Sequence, residues 1–157
     1  ECPFCKTFHT DLSEVVNGSG GQVAWVYRHF PLDGRHPKAR AEAAATECAA
    51  ELGGPDKFWE YMDRIFEITP SNNGLDPAKI PQIAKDIGLD VAKFEACLDS
   101  DKYATHIEED FQGGVRAGVT GTPSTFAFIK KTGEQTMIPG AQPFASVKSF
   151  IDSALAK

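Results

Sequence analysis

The 157-residue sequence contains no apolar run that approaches the length of a membrane span, so it predicts no transmembrane helix. It also lacks a basic cluster, and its formal net charge of −6 argues against a nucleic-acid partner. No internal repeat or low-complexity tract is present. The four cysteines form an even count, which is compatible with an oxidising compartment. The length suits one domain, or one domain with an insertion.

Two of the cysteines lie in the motif Cys2-Pro3-Phe4-Cys5 at the start of the chain. Apolar residues follow at helical spacing, and proline suits the first position of a helix because no backbone N–H is needed there. We therefore expect Cys2 at the helix N-terminus, where the dipole and the free N–H groups favour a thiolate. Cys5 lies one turn later and is expected to be partly sheltered. This asymmetry predicts dithiol–disulfide exchange, with Cys2 as the attacking and Cys5 as the resolving sulfur.

A metal site is the main alternative for this motif. Cys2, Cys5 and His9 could offer three ligands from one helix end, but a structural zinc takes four. The chain has no second CxxC and no HxxxH. A purely structural disulfide across so short a loop would remove little chain entropy. The preferred interpretation is therefore a redox pair, with no metal ligands assigned, and His9 is interpreted as a surface residue of an amphipathic helix.

The remaining pattern predicts a strand, a block of helices and then a β-hairpin followed by a helix. A β-rich run predicts a buried strand over residues 22–30, and the helical block extends from the alanine-rich segment at 39–52 to residue 117. Within this block we expect helices to begin at Asp76-Pro77, with aspartate as the cap and proline at the first position, at Asp90 and at residue 101. The hairpin is expected at residues 124–129 and 134–138, and the last helix at 143–154. In a β-α-β unit a strand precedes the helix that carries CxxC. No such strand precedes Cys2, so we expect the natural protein to be longer at its N-terminus.

Three segments together resemble the DsbA-like thiol–disulfide oxidoreductases, which have a thioredoxin fold with a helical insertion. They are the CxxC motif with the residues after it, Arg28-His29-Phe30-Pro31-Leu32 with His36-Pro37, and Gly118-Val119-Thr120-Gly121-Thr122-Pro123-Ser124 before the hairpin. The resemblance covers essentially the whole chain. It implies an α/β fold in which a thioredoxin-like mixed sheet carries an inserted all-helical domain. Residues 1–36 and 118–157 would form the thioredoxin-like domain and residues 37–117 the insertion.

The resemblance also implies roles for residues near the motif. Thr122 and Pro123 match the family's cis-proline loop, which would present the backbone of Thr122 to an extended substrate as a short added strand. Pro3 and Phe4 would tune the Cys2 thiolate. Because neither residue supplies a charge or a hydrogen bond, we expect a Cys2 pKa in the middle of the family's range, set mainly by the helix N-terminus.

Cys48 and Cys97 both fall in the predicted helical block. Some DsbA-like proteins carry a second disulfide in the insertion, so the resemblance implies a structural Cys48–Cys97 bridge. Two separate buried thiols that act as small apolar residues remain the alternative.

The function that these observations predict is a monomeric dithiol oxidase that introduces disulfides into exported cysteine-containing proteins or peptides. The resemblance implies a periplasmic or otherwise extracytoplasmic location, reoxidation by a membrane partner, and no metal or organic cofactor. Two alternatives stay open. The same site could work as a disulfide reductase or isomerase, or the motif could belong to a non-enzymatic metal- or thiol-binding module.

Overall fold

The computed structural model describes all 157 residues, from Glu1 to Lys157. It contains seven α-helices and two β-strands. In chain order these are α1 (Pro3–Asn17), α2 (Ala39–Gly53), α3 (Pro55–Ile68), α4 (Lys79–Asp86), α5 (Val91–Asp99), α6 (Ala104–Arg116), β1 (Ser124–Phe128), β2 (Gln135–Pro139) and α7 (Phe144–Leu155).

The chain forms two compact units. Glu1 and Arg28–Gly118 form the helical unit, which contains α2 to α6. Cys2–Tyr27 and Val119–Lys157 form the second unit, which contains α1, the two strands and α7. The sequence-based division into residues 1–36 with 118–157 and an insertion at 37–117 stays a prediction; the two units differ from it at Glu1, at residues 28–36 and at Gly118.

In the second unit, α1 and α7 enclose a small apolar core. The core consists of buried residues at i, i+4 and i+7 of α1 and one from α7, namely Phe8, Leu12, Val15 and Val147. Trp25 lies in the extended segment after α1 and packs against this cluster. The apolar residues whose helical spacing predicts α1 are therefore the residues that α1 contributes to this core.

In the helical unit, the alanine-rich helix α2 packs against α3, α4, α5 and α6. Small side chains allow this close approach, and Ala45 and Ala49 are completely buried. Tyr61 of α3 stacks on Phe94 of α5 with a ring separation of 5.5 Å, and its hydroxyl donates to the carbonyl of Ile80 at 2.9 Å. The two aromatic rings are thus buried together, and the tyrosine hydroxyl has the hydrogen-bond partner that a buried polar group needs.

The hairpin agrees with its prediction to within one residue at each strand end. β1 and β2 are antiparallel, and Phe126 lies opposite Met137. The turn between the strands contains Gly133 with a φ of 74°, which is a left-handed conformation that glycine adopts at little cost. The β1–β2 pair forms a two-stranded sheet.

The strand predicted over residues 22–30 is not a strand in the structure. The segment is extended, and the exposure of its side chains alternates from residue to residue. A β-strand also requires a hydrogen-bonded neighbour, and no segment of the chain forms a ladder with these residues. The alternating sequence pattern therefore predicts the alternating exposure of these side chains correctly. The prediction of a β-strand is wrong, because the segment has no hydrogen-bonded neighbour.

Two helices begin later than their sequence signals indicate. Asp76 and Pro77 suggest a helix start, but α4 begins at Lys79. The turn before it is closed by bonds of the i→i+3 type, from the N–H of Lys79 to the carbonyl of Asp76 at 2.9 Å and from the N–H of Ile80 to the carbonyl of Pro77 at 3.1 Å. By contrast, Asp90 caps α5 as predicted and accepts the N–H of Lys93 at 3.1 Å. α6 begins at Ala104 rather than at residue 101, where φ is 52° and the backbone is left-handed.

Candidate active site

Cys2 caps the N-terminus of α1. Pro3 is the first residue of the helix, and the carbonyl of Cys2 accepts the first helical hydrogen bond, from the N–H of Lys6 at 3.1 Å. The cap has an extended conformation with φ −71° and ψ 120°. Its side chain therefore leaves the helix at the end where backbone N–H groups have no carbonyl partner within the helix.

The pKa of Cys2 is lowered to about 5. The largest cause is a hydrogen bond from the side chain of Cys5. Partial burial acts against it, and the side chain of Thr122 and the backbone N–H groups of Cys5 and Phe4 lower the pKa further. Cys2 is therefore mainly a thiolate at neutral pH, which is the nucleophilic form of cysteine.

The pKa of Cys5 moves in the opposite direction and is raised. Its hydrogen bond to Cys2 is the largest cause, and burial of the thiol adds to it. Both cysteines are free thiols in this structure. The pair therefore combines a thiolate at the helix cap with a protonated thiol one turn later, which gives the two sulfurs different roles in exchange chemistry.

The loop before β1 lies against the Cys2 sulfur. The peptide bond between Thr122 and Pro123 is cis, and Cys2 Sγ lies 3.6 Å from the carbonyl oxygen of Thr122. Some 120 residues separate these two groups in the sequence. A peptide chain that reached Cys2 would thus meet the backbone of Thr122 at once.

The Thr122 side chain contributes to the low pKa of Cys2, a contribution that the sequence did not predict, because the Cys2 pKa was expected to be set mainly by the helix N-terminus. In the structure the side chain of Cys5 contributes most. The sequence signal that could have indicated this contact is Thr122 itself, a residue with a hydroxyl group directly before the loop residue Pro123 in a chain that also contains CxxC. Only a tertiary contact brings the two together.

The other residues around the motif differ in exposure. Phe4 is 66% exposed, so its ring lies at the surface beside the cysteines in the motif. His9 is buried, and its ring lies 5.1 Å from that of Trp25. The interpretation of His9 as a surface residue is therefore wrong, because the extended segment after α1 covers this face of the helix.

Cys48 and Cys97 are joined by a disulfide, with their Cα atoms 5.9 Å apart. Cys48 lies in α2 and Cys97 in α5, so the bond links two helices of the helical unit across 49 residues of sequence. Both residues are buried. The bond belongs to the framework of that unit, whereas the thiols of Cys2 and Cys5 remain free.

No three His, Cys, Asp or Glu side chains of the chain are arranged so that they could hold a metal ion. Cys2, Cys5 and His9 therefore do not form the three-ligand set that the sequence left open. None of the helices combines the length and the apolar character that a membrane span needs.

The model of the DSBA-like thioredoxin domain matches residues 1–152. The chain belongs to this family. Its structure resembles that of DsbA2 from Pseudomonas aeruginosa with a TM-score of 0.80 and 32% identity, over 98% of this chain and 82% of that one. It also shares the fold of α-DsbA2 from Wolbachia pipientis, with a TM-score of 0.77 and 21% identity, over 97% of this chain and 75% of that one. The predicted fold class, a thioredoxin-like α/β fold with a helical insertion, is confirmed.

Curated relatives of this DSBA-like chain are much longer proteins. This chain is 32% identical over 126 residues to the Na(+)/H(+) antiporter NhaA 1 of Salinispora arenicola. The aligned segment covers 80% of this chain and 18% of the antiporter. This chain is also 30% identical over 128 residues to NhaA 1 of Mycolicibacterium vanbaalenii, and that alignment covers 80% of this chain and 20% of the antiporter. The chain thus spans about a fifth of the length of the curated relatives it matches. The fold is that of the DsbA-like thiol–disulfide oxidoreductases, which supports the prediction of a protein disulfide oxidoreductase.

Proposed function

We propose that the chain is a dithiol oxidase that transfers its Cys2–Cys5 disulfide to pairs of thiols in other polypeptides. The observation that carries the proposal is the opposite displacement of the two pKa values, with Cys2 at about 5 and Cys5 raised. A sulfur with a low pKa is a good leaving group in disulfide exchange. Such a pair gives up its disulfide readily because the reduced form, with Cys2 as a thiolate, is stabilised.

The reaction begins with the oxidised Cys2–Cys5 pair. A substrate thiolate attacks Cys2 Sγ, a substrate–Cys2 disulfide forms, and Cys5 leaves with the electron pair of the broken bond. Its raised pKa means that Cys5 takes up a proton at neutral pH. A second substrate thiolate then attacks the substrate sulfur of the mixed disulfide, and Cys2 leaves as a thiolate. The substrate is oxidised by two electrons, and the Cys2–Cys5 pair is reduced by the same two.

The Thr122 loop supports the binding step. Its carbonyl lies beside Cys2, so an extended peptide that carries the attacking thiol could pair with the Thr122 backbone while its sulfur reaches Cys2. Thr122 and Pro123 are thus proposed as substrate-binding residues, and Pro3 and Phe4 as residues that shape the motif. The substrates are proposed to be exported cysteine-containing proteins or peptides.

Each turnover leaves the pair reduced, so the cycle needs an external two-electron acceptor. We assign this role to a membrane-bound reoxidising partner, and we place the reaction in the periplasm or another extracytoplasmic space. Disulfides persist in such compartments, which agrees with the Cys48–Cys97 bond. The chain itself would act as a monomer without a metal or an organic cofactor.

Two variants test the order of the sulfurs. Cys5→Ser retains the Cys2 thiolate but lacks the resolving thiol. It should therefore accumulate a mixed disulfide with a single-cysteine peptide that is activated as a disulfide with a small aromatic thiol; Cys2 attacks the peptide sulfur, the aromatic thiolate leaves, and the adduct is visible as a mass increase that reductant reverses. Cys2→Ser is the matched control and should form no adduct and catalyse no exchange. If Cys5→Ser yields no adduct, or if Cys2→Ser yields one, the assignment is wrong.

A second measurement determines the direction. The reduction potential of the pair, obtained by equilibration with glutathione, should lie nearer the value of about −120 mV typical of disulfide oxidants than the value of about −270 mV typical of reductants. A potential close to the reductant value would favour the alternative function, a reductase that uses the same two cysteines.

A further inference from the structure

The exchange reaction moves one proton on and off Cys5. A hydrogen bond to Cys2 and burial of the thiol raise the pKa of Cys5, so Cys5 is protonated in the reduced pair. The thiolate is the form that attacks a disulfide, so Cys5 must lose this proton before it can attack a mixed disulfide at Cys2. Because Cys5 is half-buried, solvent reaches its thiol poorly. A group of the protein that exchanges this proton would therefore accelerate the step.

His9 lies on the same face of α1 as Cys5. The two residues are four positions apart in a helix that is continuous from Pro3 to Asn17. At this spacing the Cβ atoms of two helical residues lie about 5–6 Å apart. Side chains of a helix also lean towards its N-terminus, so the later residue of such a pair covers the turn that carries the earlier one. The imidazole of His9 therefore leans towards the turn that carries Cys5.

The imidazole of His9 is held in a buried position. His9 is 6% exposed, and its ring centroid lies 5.1 Å from that of Trp25, with the two ring planes inclined at 46°. Trp25 in turn packs against the apolar core that α1 and α7 enclose. The imidazole thus has little freedom to turn into solvent, and it stays beside the turn that carries Cys5.

Few charged groups share this environment. The extended segment at 18–27, which packs on this side of α1, contains no carboxylate, amine, guanidinium or imidazole. On α7, Lys148 and Asp152 pair with each other at 2.7 Å. On α1, Lys6 lies three residues before His9 on the same side of the helix. Imidazole is the side chain that ordinarily both accepts and releases a proton near neutral pH, which is the chemistry that the buried thiol needs.

We propose that His9 exchanges a proton with Cys5 in the thiol–disulfide reaction, an inference that rests on the proposed function. When a substrate thiolate attacks Cys2 of the oxidised pair, the Cys2–Cys5 bond breaks. Cys5 keeps the electron pair of that bond and takes a proton from the imidazolium of His9. In the reverse direction the neutral imidazole takes the proton of Cys5. The Cys5 thiolate then attacks the Cys2 sulfur of a mixed disulfide, and the other thiolate leaves.

The reaction of the reduced chain with oxidised glutathione separates the step that needs this proton transfer from the step that does not. In the first step the Cys2 thiolate attacks glutathione disulfide, forms a Cys2–glutathione disulfide and releases one glutathione. In the second step Cys5 attacks Cys2 and releases the other glutathione. Only the second step requires Cys5 to lose its proton. Acid quenching followed by mass spectrometry measures the rate of each step.

His9→Gln should slow the second step at least tenfold at pH 7 and change the first step less than twofold. Its second step should also become about tenfold faster per pH unit from pH 6 to pH 8, because the proton must then go to solvent. The wild-type rate should rise less steeply, because the proton stays within the protein. The equilibrium constant with glutathione should change less than threefold, since the reduced pair keeps its proton on Cys5 in both proteins.

Two further variants complete the test. His29→Gln is the matched control, because it removes a buried histidine of the helical unit, and it should leave the rates of both steps unchanged. His9→Asn is a second replacement that should slow the second step as His9→Gln does. An unchanged rate of the first step reports that the site around Cys2 is intact in each variant.

Two outcomes would overturn the inference. Equal rates of the second step in wild type and both His9 variants would show that His9 does not exchange the proton. Equal slowing of both steps, with a shifted equilibrium constant and an unchanged pH dependence, would show that His9 acts only through packing. Neither outcome bears on the oxidase function, because the reduction potential of the wild-type pair decides that function by itself.

Discussion

At the scale of single residues, the chemistry depends on the different protonation states of two sulfurs three positions apart. The Cys5 thiol lowers the pKa of Cys2 by donating to it, and the same hydrogen bond raises the pKa of Cys5. One contact thus creates both the attacking and the resolving sulfur. The helix cap and Thr122 strengthen the difference, but they do not create it alone.

This asymmetry predicts how the reduction potential depends on pH. Between about pH 5 and pH 9 the reduced pair carries one proton, on Cys5, because Cys2 is already a thiolate above its pKa of about 5. Two electrons are then accompanied by one proton, and the potential should fall by about 30 mV per pH unit from pH 6 to pH 8. A pair that took up two protons would show about 59 mV per pH unit.

The same preparation provides an independent check on this prediction. Absorbance of the thiolate near 240 nm should rise with a midpoint close to pH 5 in wild type and should be absent in Cys2→Ser. Thr122→Val removes the side-chain hydrogen bond to Cys2, and the midpoint should move to higher pH. A wild-type midpoint above pH 8, or a slope near 59 mV, would contradict the proposed thiolate.

At the scale of elements, a buried carboxylate holds the extended segment against α6 within the helical unit. Asp110 of α6 accepts the backbone N–H of His29 at 3.0 Å and the guanidinium of Arg28 at 2.6 Å. Gly113 leaves room for that guanidinium, because a Cβ atom there would lie 3.3 Å from Arg28 Nη2. Glycine has a low helix propensity, but at position 113 its lack of a side chain permits this contact between Arg28 and α6.

We therefore expect Asp110→Ala to lower the free energy of unfolding by about 3 kcal/mol, because the N–H of buried His29 and the guanidinium lose this acceptor. Asp110→Asn keeps an acceptor for His29 and should cost about 1 kcal/mol. Urea denaturation measures both values. Equal stability of Asp110→Ala and wild type would show that the contact does not hold the segment.

At the scale of the whole molecule, a second buried carboxyl makes stability depend on pH. Burial raises the pKa of Glu42 to about 7, and a hydrogen bond with Glu1 adds to the rise. In the unfolded chain this pKa is near 4.5. Between these values the folded state binds a proton that the unfolded state has lost. Protonated Glu42 therefore contributes to the free energy of unfolding; this contribution is complete below pH 4.5 and is lost as the pH rises through 7.

The free energy of unfolding of the oxidised protein should thus fall by about 2 kcal/mol from pH 5 to pH 8. The oxidised form is used because the reduced form also titrates at Cys2. That group has a lowered pKa, so its contribution is complete above pH 9 and is lost as the pH falls towards 5.

Glu42→Gln should flatten the pH profile of the oxidised protein, whereas the exposed Glu60→Gln should retain it. Urea denaturation at five pH values between 5 and 8 separates the two. A Glu42→Gln profile as steep as that of wild type would mean that another group causes the dependence.

Local sequence signals account for most of the elements and for the motif. Pro3 and the apolar spacing after it predict α1 with Cys2 at its cap, Asp90 predicts the start of α5, and the alternation around Gly133 predicts the hairpin. Each signal acts within one or two turns of chain, where backbone sterics, capping and side-chain periodicity decide the conformation. The resemblance based on these motifs also identified the family.

Long-range contacts decided what remained. The pairing that the segment at 22–30 needs to be a strand, the burial of His9 and the packing of Arg28 beside Gly113 all depend on residues distant in sequence. Thr122 lies beside Cys2 only because the chain returns after some 120 residues. The sequence by itself therefore determined which residues can react and which segments are helical. The tertiary structure alone decided the protonation of the two sulfurs, because burial and hydrogen-bond partners exist only in the folded chain.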